Sequence, residues 1–324
     1  MSELVHPVLQ VKGLKTHFVL RKGLLQRPAG AVHAVDGVSF SIAQGQTLSL
    51  VGESGCGKST LARTVMRLVS PTAGSVHING TDITHLSKAQ MRPYRRQMQM
   101  IFQDPFASLN PRMTAGAIVS EPLMVHGIAE SKALEEQTVA LFEQVGLRTD
   151  QINNYPHQFS GGQRQRISIA RALALSPRLI VADEPVSALD VSIQAQVINL
   201  LMELQRKKGL SYLFIAHDLA VVEHISHFVA VMYLGKIVEY ADKKTLFCDP
   251  RHPYTEALLS AVPVPDPNIK RVKILLEGDV PSPVNPPPGC AFQSRCAFAT
   301  PQCKVEAPDL RDVGGGHLVS CHVR

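Results

Sequence analysis

No stretch of this sequence is apolar for long enough to cross a bilayer. Its first residues, MSELVHPVLQ, have no basic segment leading into an apolar core. The expectation is a chain that stays on the cytoplasmic side of a membrane. Basic residues are not gathered among aromatics, which make up only 5% of the sequence. The net charge of +6 therefore suits an anionic nucleotide or an anionic membrane face, and no nucleic-acid partner is expected. Tight Cys-x-x-Cys pairs are missing too. Six cysteines in a reducing compartment do not make a disulfide framework. Internal repeats are absent.

What is present centres on QTLSLVGESGCGKST, residues 46–60. Leu48, Ser49, Leu50 and Val51 read as a short buried strand, and helical spacing restarts at Thr60. Between them stands Gly52-x-x-x-x-Gly57-Lys58-Ser59, in the strand–loop–helix context a P-loop needs. Glycines let a phosphate chain touch backbone N–H groups without Cβ atoms intervening. Those amides and the positive end of the next helix make an anion nest over Gly52, Glu53, Ser54, Gly55, Cys56, Gly57 and Thr60. Lys58 would reach the β- and γ-phosphates, and Ser59 would place its hydroxyl on Mg²⁺. Cys56, beside a helix N-terminus and Lys58, is expected to have a lowered pKa and to react if exposed; the alternative is a small loop-filling residue.

With 324 residues the chain holds one large domain and a smaller one. Val8–Val11 and Ala34–Ile42 alternate as half-exposed antiparallel strands, with the basic RKGLLQRPAGAV between them read as a loop. Gly74–Ile78 is a further strand, stopping at the turn dipeptide Asn79-Gly80. Met98–Phe102 is predicted as a strand and Pro105–Pro111 as a structural break. Two or three amphipathic helices follow, from Thr114 to about Gly146, then a helix over Gln163–Ala174. Strands at Leu179–Ala182 and Ser211–Ala216 alternate with helices at Ile193–Lys207 and Leu219–Ile225, which implies a mostly parallel sheet. Val229–Tyr233 and Lys236–Glu239 form a hairpin about Leu234-Gly235. DPRHPYTEALL reads as a docking helix, and the proline-rich residues 262–289 as a strap.

The second half narrows the chemistry. The apolar strand at Leu179 ends in Asp183, where a carboxylate can hold Mg²⁺, and Glu184 can polarise an attacking water as general base. Ser160, the glycine amides through Gly162, and Gln163 open a helix with a second phosphate-shaped N-terminus. Asp190 closes Ser187-Ala188-Leu189-Asp190, and His217 ends the next strand, where an imidazole could reach a γ-phosphate or attacking water.

At these residues the chain resembles the ATP-binding subunits of ABC transporters. GESGCGKS matches Walker A, Gln103 the Q-loop, FSGGQ the signature with Phe159 replacing the commoner leucine, LIVADE Walker B, SALD the D-loop and His217 the H-loop. The resemblance implies an α/β fold: a P-loop ABC-type nucleotide-binding domain over residues 1–255, with a RecA-like core, an antiparallel β subdomain and a helical subdomain at about 104–175. Residues 256–324 are then an extension of proline-rich strap and four cysteines. It also implies two such domains packed head to tail. Lys58, Ser59, Gln103, Asp183, Glu184 and His217 would serve one ATP, with Ser59, Gln103 and Asp183 around Mg²⁺; Ser160, Gly162 and Gln163 would complete the partner's site. Adenine would stack on an upstream aromatic, for which Phe18 is the candidate. FQDPFASLNPRM, YPHQFSGGQRQR, RHPYTEALLSAVP and VPSPVNPPPGCAF resemble the bacterial dipeptide/oligopeptide importers, most like the second ATPase of the dipeptide system. That implies a sister ATPase, two permease subunits and a periplasmic peptide-binding protein as partners, and a peripheral place on the inner membrane. Dipeptides, oligopeptides, nickel or glutathione remain open as cargo. A soluble ribosome or repair ATPase would carry a second nucleotide domain or a long coiled-coil insertion, and neither is present. A degenerate non-enzymatic partner would lack Lys58, Glu184 or His217, and all three stand in place.

Cys290, Cys296, Cys303 and Cys321 follow the strap. Their gaps are wider than zinc knuckles use, yet four thiolates on a loop can converge, and cuboidal clusters accept Cys₄ ligation. The resembling importers carry a [4Fe–4S] cluster there in some members; zinc and four free thiols stay open as alternatives. The tail is expected to owe its fold to that metal and to leave the distant P-loop's affinity for ATP untouched if it loosens.

Overall fold

The hairpin expected at Asn79-Gly80 is present in the computed structural model, which describes residues 7–23, 27–262, 273–284 and 286–324. Asn79 and Gly80 both take positive φ, 47° and 82°, as a two-residue hairpin turn requires. They join β4 (Ala73–Ile78) to β5 (Thr81–Asp82). Strand β1 (Leu9–Lys22) runs antiparallel to β4, and β2 (Arg27–Ile42) lies on its other side. The basic stretch expected as a loop is therefore mostly strand. Pairing of β2 with β1 overrides the Pro and Gly of its described part. Leu24, Leu25 and Gln26 lie outside the described residues, as do the first six residues, on which the leader expectation rests.

Two compact units make up the chain. The first to be described contains residues 9–41, 46–84 and 216–324. In it β3 (Thr47–Val51), wholly buried, leads through the glycine loop into α1 (Lys58–Val65).

The other unit is chiefly residues 85–215. It opens with α2 (Lys88–Gln97), capped reciprocally by Ser87 and Gln90, and β6 (Met98–Ile101). Then comes α3 (Pro105–Ser108), a single helical turn where a break was expected. Asp104 Oδ1 accepts the N–H groups of Phe106 and Ala107 at 2.7 and 3.2 Å, and Pro105 fits the first helical position because its missing N–H has no partner there to lose. The helices α4 (Ala115–Val125), α5 (Ser131–Gln144) and α6 (Gly161–Leu173) follow. Strands β7 (Leu179–Asp183) and β8 (Ser211–Ile215) flank α7 (Val191–Lys208), whose end Gly209 takes in a left-handed turn at φ 65°. Strands β6, β7 and β8 are parallel, and every residue of β7 and β8 is buried, as strands covered on both faces should be.

Back in the first unit are α8 (Leu219–Ile225), the hairpin β9 (Phe228–Tyr233) and β10 (Lys236–Asp242), α9 (Lys243–Cys248) and α10 (Pro253–Ser260). Strand β9 pairs parallel to β3 and antiparallel to β10. The strap expectation falls partly outside the described residues, at 263–272 and Asn285. Beyond it α11 (Pro301–Val305) precedes a two-residue hairpin, β11 (Arg311–Asp312) with β12 (Leu318–Val319). Strand β12 pairs with β10, so the tail extends this unit's sheet.

Its side chains also reach the core: Phe292 and Val319 are buried to within 1%. The tail is thus anchored by ordinary packing. Glu239, fully buried beside a register shift in β10, is the polar anchor. It accepts the N–H groups of Arg251 and His252 at 2.7 and 3.0 Å and meets His317 Nε2 of the tail at 2.7 Å.

Candidate functional site

The glycine loop is shaped by positive φ at Gly52 (149°), Gly55 (81°) and Gly57 (108°). A Cβ at Gly57 would stand 2.0 Å from the Ala34 carbonyl oxygen, and one at Gly52 2.2 Å from that of Met232. No side chain fits either place, so the loop's backbone lies against β2 and β9. Gly57 caps α1 without a side-chain hydrogen bond, so the positive end of the helix opens directly on the glycine loop. Lys58 is only 6% exposed. Its Nζ donates to the carbonyls of Gly52 at 2.7 Å and Glu53 at 3.0 Å, curled inside the loop it would leave for a phosphate. Ser54 and Gly55 are exposed, and Ser59 and Thr60 half-buried, at the turn into α1.

Cys56 departs from expectation. Its side chain is 4% exposed, and burial pushes the thiol pKa up; Lys58, 3.8 Å away, offsets this only in part. A helix N-terminus lowers a thiol pKa where water can also solvate the thiolate, and here water is excluded. The loop-filling reading holds.

His217, in the same unit, is exposed just before Asp218, the side-chain cap of α8. Phe18, on β1, is 43% exposed and offers a ring face to solvent.

In the other unit Asp183 ends β7 and is 2% exposed. Glu184 follows in a left-handed conformation, φ 47°, its N–H donating to Ile215 O of β8 at 3.0 Å. A non-glycine residue held at positive φ is strained, and such strain gathers at functional positions. Gln103 Nε2 donates to Glu184 Oε2 at 2.8 Å. Two residues chosen separately from sequence are thereby joined.

Ser160 caps α6 as expected. Its Oγ accepts from Gln163 N at 3.4 Å, while Gln163 Oε1 takes the Ser160 N–H at 3.0 Å. Gln163 Oε1 is taken by the cap, so its Nε2 and the glycine amides are the donors this end can offer. A Cβ at Gly162 would stand 2.5 Å from Ile193 Cγ2 of α7, which explains the glycine by packing. Asp190 occupies the N-cap position of α7 and is exposed. Arg164, 7% exposed, donates to Pro156 O at 2.6 Å and lies 3.6 Å from the ring centre of Phe106, itself 64% exposed.

None of the six cysteines is in a disulfide. Burial raises the pKa of both Cys290 and Cys296; Cys303, Cys321 and Cys296 raise that of Cys290 further, and Cys321 and Cys303 that of Cys296. The four thiols are therefore neighbours. Cys290, Cys296 and Cys321 each receive an N–H···S bond from the residue two places on, Phe292, Phe298 and Val323. Among the described residues, one set of three or more possible ligand atoms lies within 4.8 Å of one another: His17, His33 and Asp36. Asp36 is already neutralised there by Lys15 at 3.3 Å and Lys236 at 3.6 Å, which makes it an ion-pair network.

Residues missed from the sequence are those that hold the loop from afar. Tyr254 Oη accepts the Glu53 N–H at 2.8 Å, and Arg295 makes two hydrogen bonds to the Glu53 carboxylate. Nothing in local spacing marks either.

The chain is similar to known proteins over most of its length. Residues 35–187 match the family model described as ABC transporter, and residues 238–303 the one described as oligopeptide/dipeptide transporter, C-terminal region. The oligopeptide transport ATP-binding protein AppF of Bacillus subtilis is 54% identical over 319 residues, 98% of this chain and 97% of that one. A Sinorhizobium fredii protein, "Probable peptide ABC transporter ATP-binding protein y4tS", is 54% identical over 317 residues, 98% of this chain and 90% of its own. Among solved structures, the dimeric post-hydrolysis state of the ATP-binding cassette MJ0796 bound to ADP and Pi superposes with a TM-score of 0.65. That match has 27% identity over 72% of this chain and 98% of that one.

Proposed function

The chain belongs to the ABC transporter ATP-binding proteins of the oligopeptide/dipeptide type, and from that premise we propose that it energises the import of dipeptides and other short peptides. It is an ATPase that binds ATP with Mg²⁺ and works with membrane permease subunits. No described helix is long and apolar enough to cross a membrane; its place in this reading is against the permeases, on the cytoplasmic face of the inner membrane. Residues 1–255 are the cassette, with its helical part at about 104–175, and residues 256–324 an extension docked on it.

The observation that carries the reading is the glycine loop. Its backbone is pressed against β2 and β9, α1 starts from it with no side-chain cap, and Lys58 is stored on two loop carbonyls. The phosphates take those amides, with the backbone of 52–60 closing around them, and Lys58 exchanges carbonyls for the β- and γ-oxygens. Ser59 and Asp183 would hold Mg²⁺, which would supply charge neutralisation at the phosphate oxygens. Glu184 orients water and accepts its proton, and Gln103 holds that carboxylate and reports on Mg²⁺ to the helical part. His217 steadies the γ-phosphate side, and Phe18 stacks on adenine. Ser160, Gly162, Gln163 and Asp190 complete the site of a sister ATPase in a heterodimer. Phe106, exposed on α3 just after Gln103, faces the permeases' cytoplasmic helices. A periplasmic peptide-binding protein selects the cargo.

The tail cysteines suit an iron–sulfur cluster better than a single zinc ion. Their gaps in sequence are wider than the tight pairs of zinc knuckles, and amide hydrogen bonds to sulfur, as at Cys290, Cys296 and Cys321, are a recurring means of tuning cluster thiolates. Such a cluster supplies structural cross-linking held by Cys290, Cys296, Cys303 and Cys321.

Glu184→Gln in the assembled transporter tests the reading. Mg-ATP binding should persist while hydrolysis falls by about 10²-fold or more, since the amide cannot take the water's proton. Wild-type turnover would refute the role of Glu184. Co-purification from membranes without permeases or a sister ATPase would refute the assembly.

A further inference from the structure

Glu53 is the first residue after Gly52 in the phosphate loop, and all three of its polar groups are held. Its N–H is donated to Tyr254 Oη at 2.8 Å, and its carbonyl accepts Lys58 Nζ at 3.0 Å. Its carboxylate is gripped by Arg295, Nη1 to Oε2 at 2.7 Å and Nη2 to Oε1 at 3.1 Å. Arg295 immediately precedes Cys296 in the tail and is 8% exposed as a side chain, against 28% for Glu53. Tyr254, Tyr233 and Phe292 pack on one another with ring centroids 4.8–5.4 Å apart; Tyr254 holds the Glu53 N–H, Tyr233 lies beside the guanidinium, and Arg295 N closes a turn onto Phe292 O at 3.0 Å. The forked pair is thus braced on the guanidinium side by a rigid aromatic cluster and sits at the edge of the loop.

An acid in an anion cradle is a contradiction unless its charge is cancelled. A free carboxylate one residue from Gly52 would repel a triphosphate and compete for Lys58. Paired bidentately, it presents almost no net charge, and its main chain is fixed in the pose that shapes the loop. The tail therefore does more for the P-loop than lie against it. We propose that Arg295 is a positioning residue for nucleotide binding, acting through Glu53, so that the C-terminal cysteine segment sets the affinity of the phosphate loop. This rests on the loop 52–59 being the nucleotide site, and it replaces the expectation of a tail indifferent to ATP affinity.

Mg-ATP affinity of the full chain is measured by equilibrium titration at low and high salt, for wild type, Arg295→Gln, Arg295→Lys and the double variant Arg295→Gln/Glu53→Gln. Arg295→Gln should weaken binding about tenfold at low salt, and by only about two- to threefold near 0.5 M salt, because the exposed carboxylate's repulsion is screened. Arg295→Lys keeps the charge but not the fork, and should fall between. The double variant should recover most of the loss, since no bare carboxylate remains. Arg295→Gln binding as wild type overturns the proposal. A loss that is salt-independent and not relieved in the double variant also overturns it, because that is the mark of a tail that has merely come loose. If Arg295→Gln does not fold, the double variant decides alone: affinity within about threefold of wild type supports the proposal, and a loss of tenfold or more overturns it. Lys58→Ala separates the two readings. If it binds Mg-ATP as wild type does, the loop itself is not the site.

Discussion

Acid should weaken the attachment of the tail through His252. This residue caps α10: its Nδ1 accepts the Tyr254 N–H at 3.1 Å, while the ring also bonds to the Ser320 backbone of the tail. Only the neutral ring with a proton on Nε2 can do both. The side chain is 1% exposed, and burial pushes its pKa down to about 4 from an ordinary 6.5. The folded group thus resists protonation while the unfolded one accepts it. Between these two values the unfolded chain binds more protons, so stability is complete above about pH 6.5 and is lost as pH falls towards 4. With those two values, lowering the pH from 7 to 5 costs about 2 kcal/mol through this one group. The assay is urea unfolding at a series of pH values, with amide exchange at Tyr254 and Ser320 as a local probe. His252→Asn supplies the control. Its Oδ1 can still cap Tyr254 N, it does not titrate, and its poorer packing against Phe292 shifts stability by the same amount at every pH. The wild type should lose about 2 kcal/mol more than the variant between pH 7 and 5. Equal slopes would refute the reasoning.

Cys56, buried and with a raised pKa, should alkylate slowly in the folded chain whether or not Mg-ATP is present; labelling within minutes at neutral pH, followed by mass spectrometry, would contradict its burial. Protein prepared without oxygen should be brown with broad visible absorbance, and Cys296→Ser should bleach it and admit proteases to the tail. Colourless protein with one zinc per chain would replace the cluster by zinc; metal-free protein with an ordered tail would remove any structural metal.

The sequence by itself determined the parts whose physics is local. A buried strand, three glycines able to take positive φ and a helix start fix the phosphate loop within one contiguous stretch. Ser160 with Gln163, and Asn79 with Gly80, likewise carry their geometry in neighbouring residues. Strand and helix order followed from hydrophobic period for the same reason. The misread stretches are those where a partner decided. Residues 21–22 and 27–32 became strand by pairing, and Pro105–Ser108 a helical turn by the cap Asp104 supplies.

What only the tertiary structure decided is which distant groups meet and which are kept from water. The joining of Gln103 to Glu184, the burial of Cys56 and the docking of His317 on Glu239 depend on packing, not on spacing. So does the grip of Arg295 on Glu53, across 242 residues of chain. A side chain's charge state and partners are set by its neighbours in space, and a sequence shows only its neighbours along the chain.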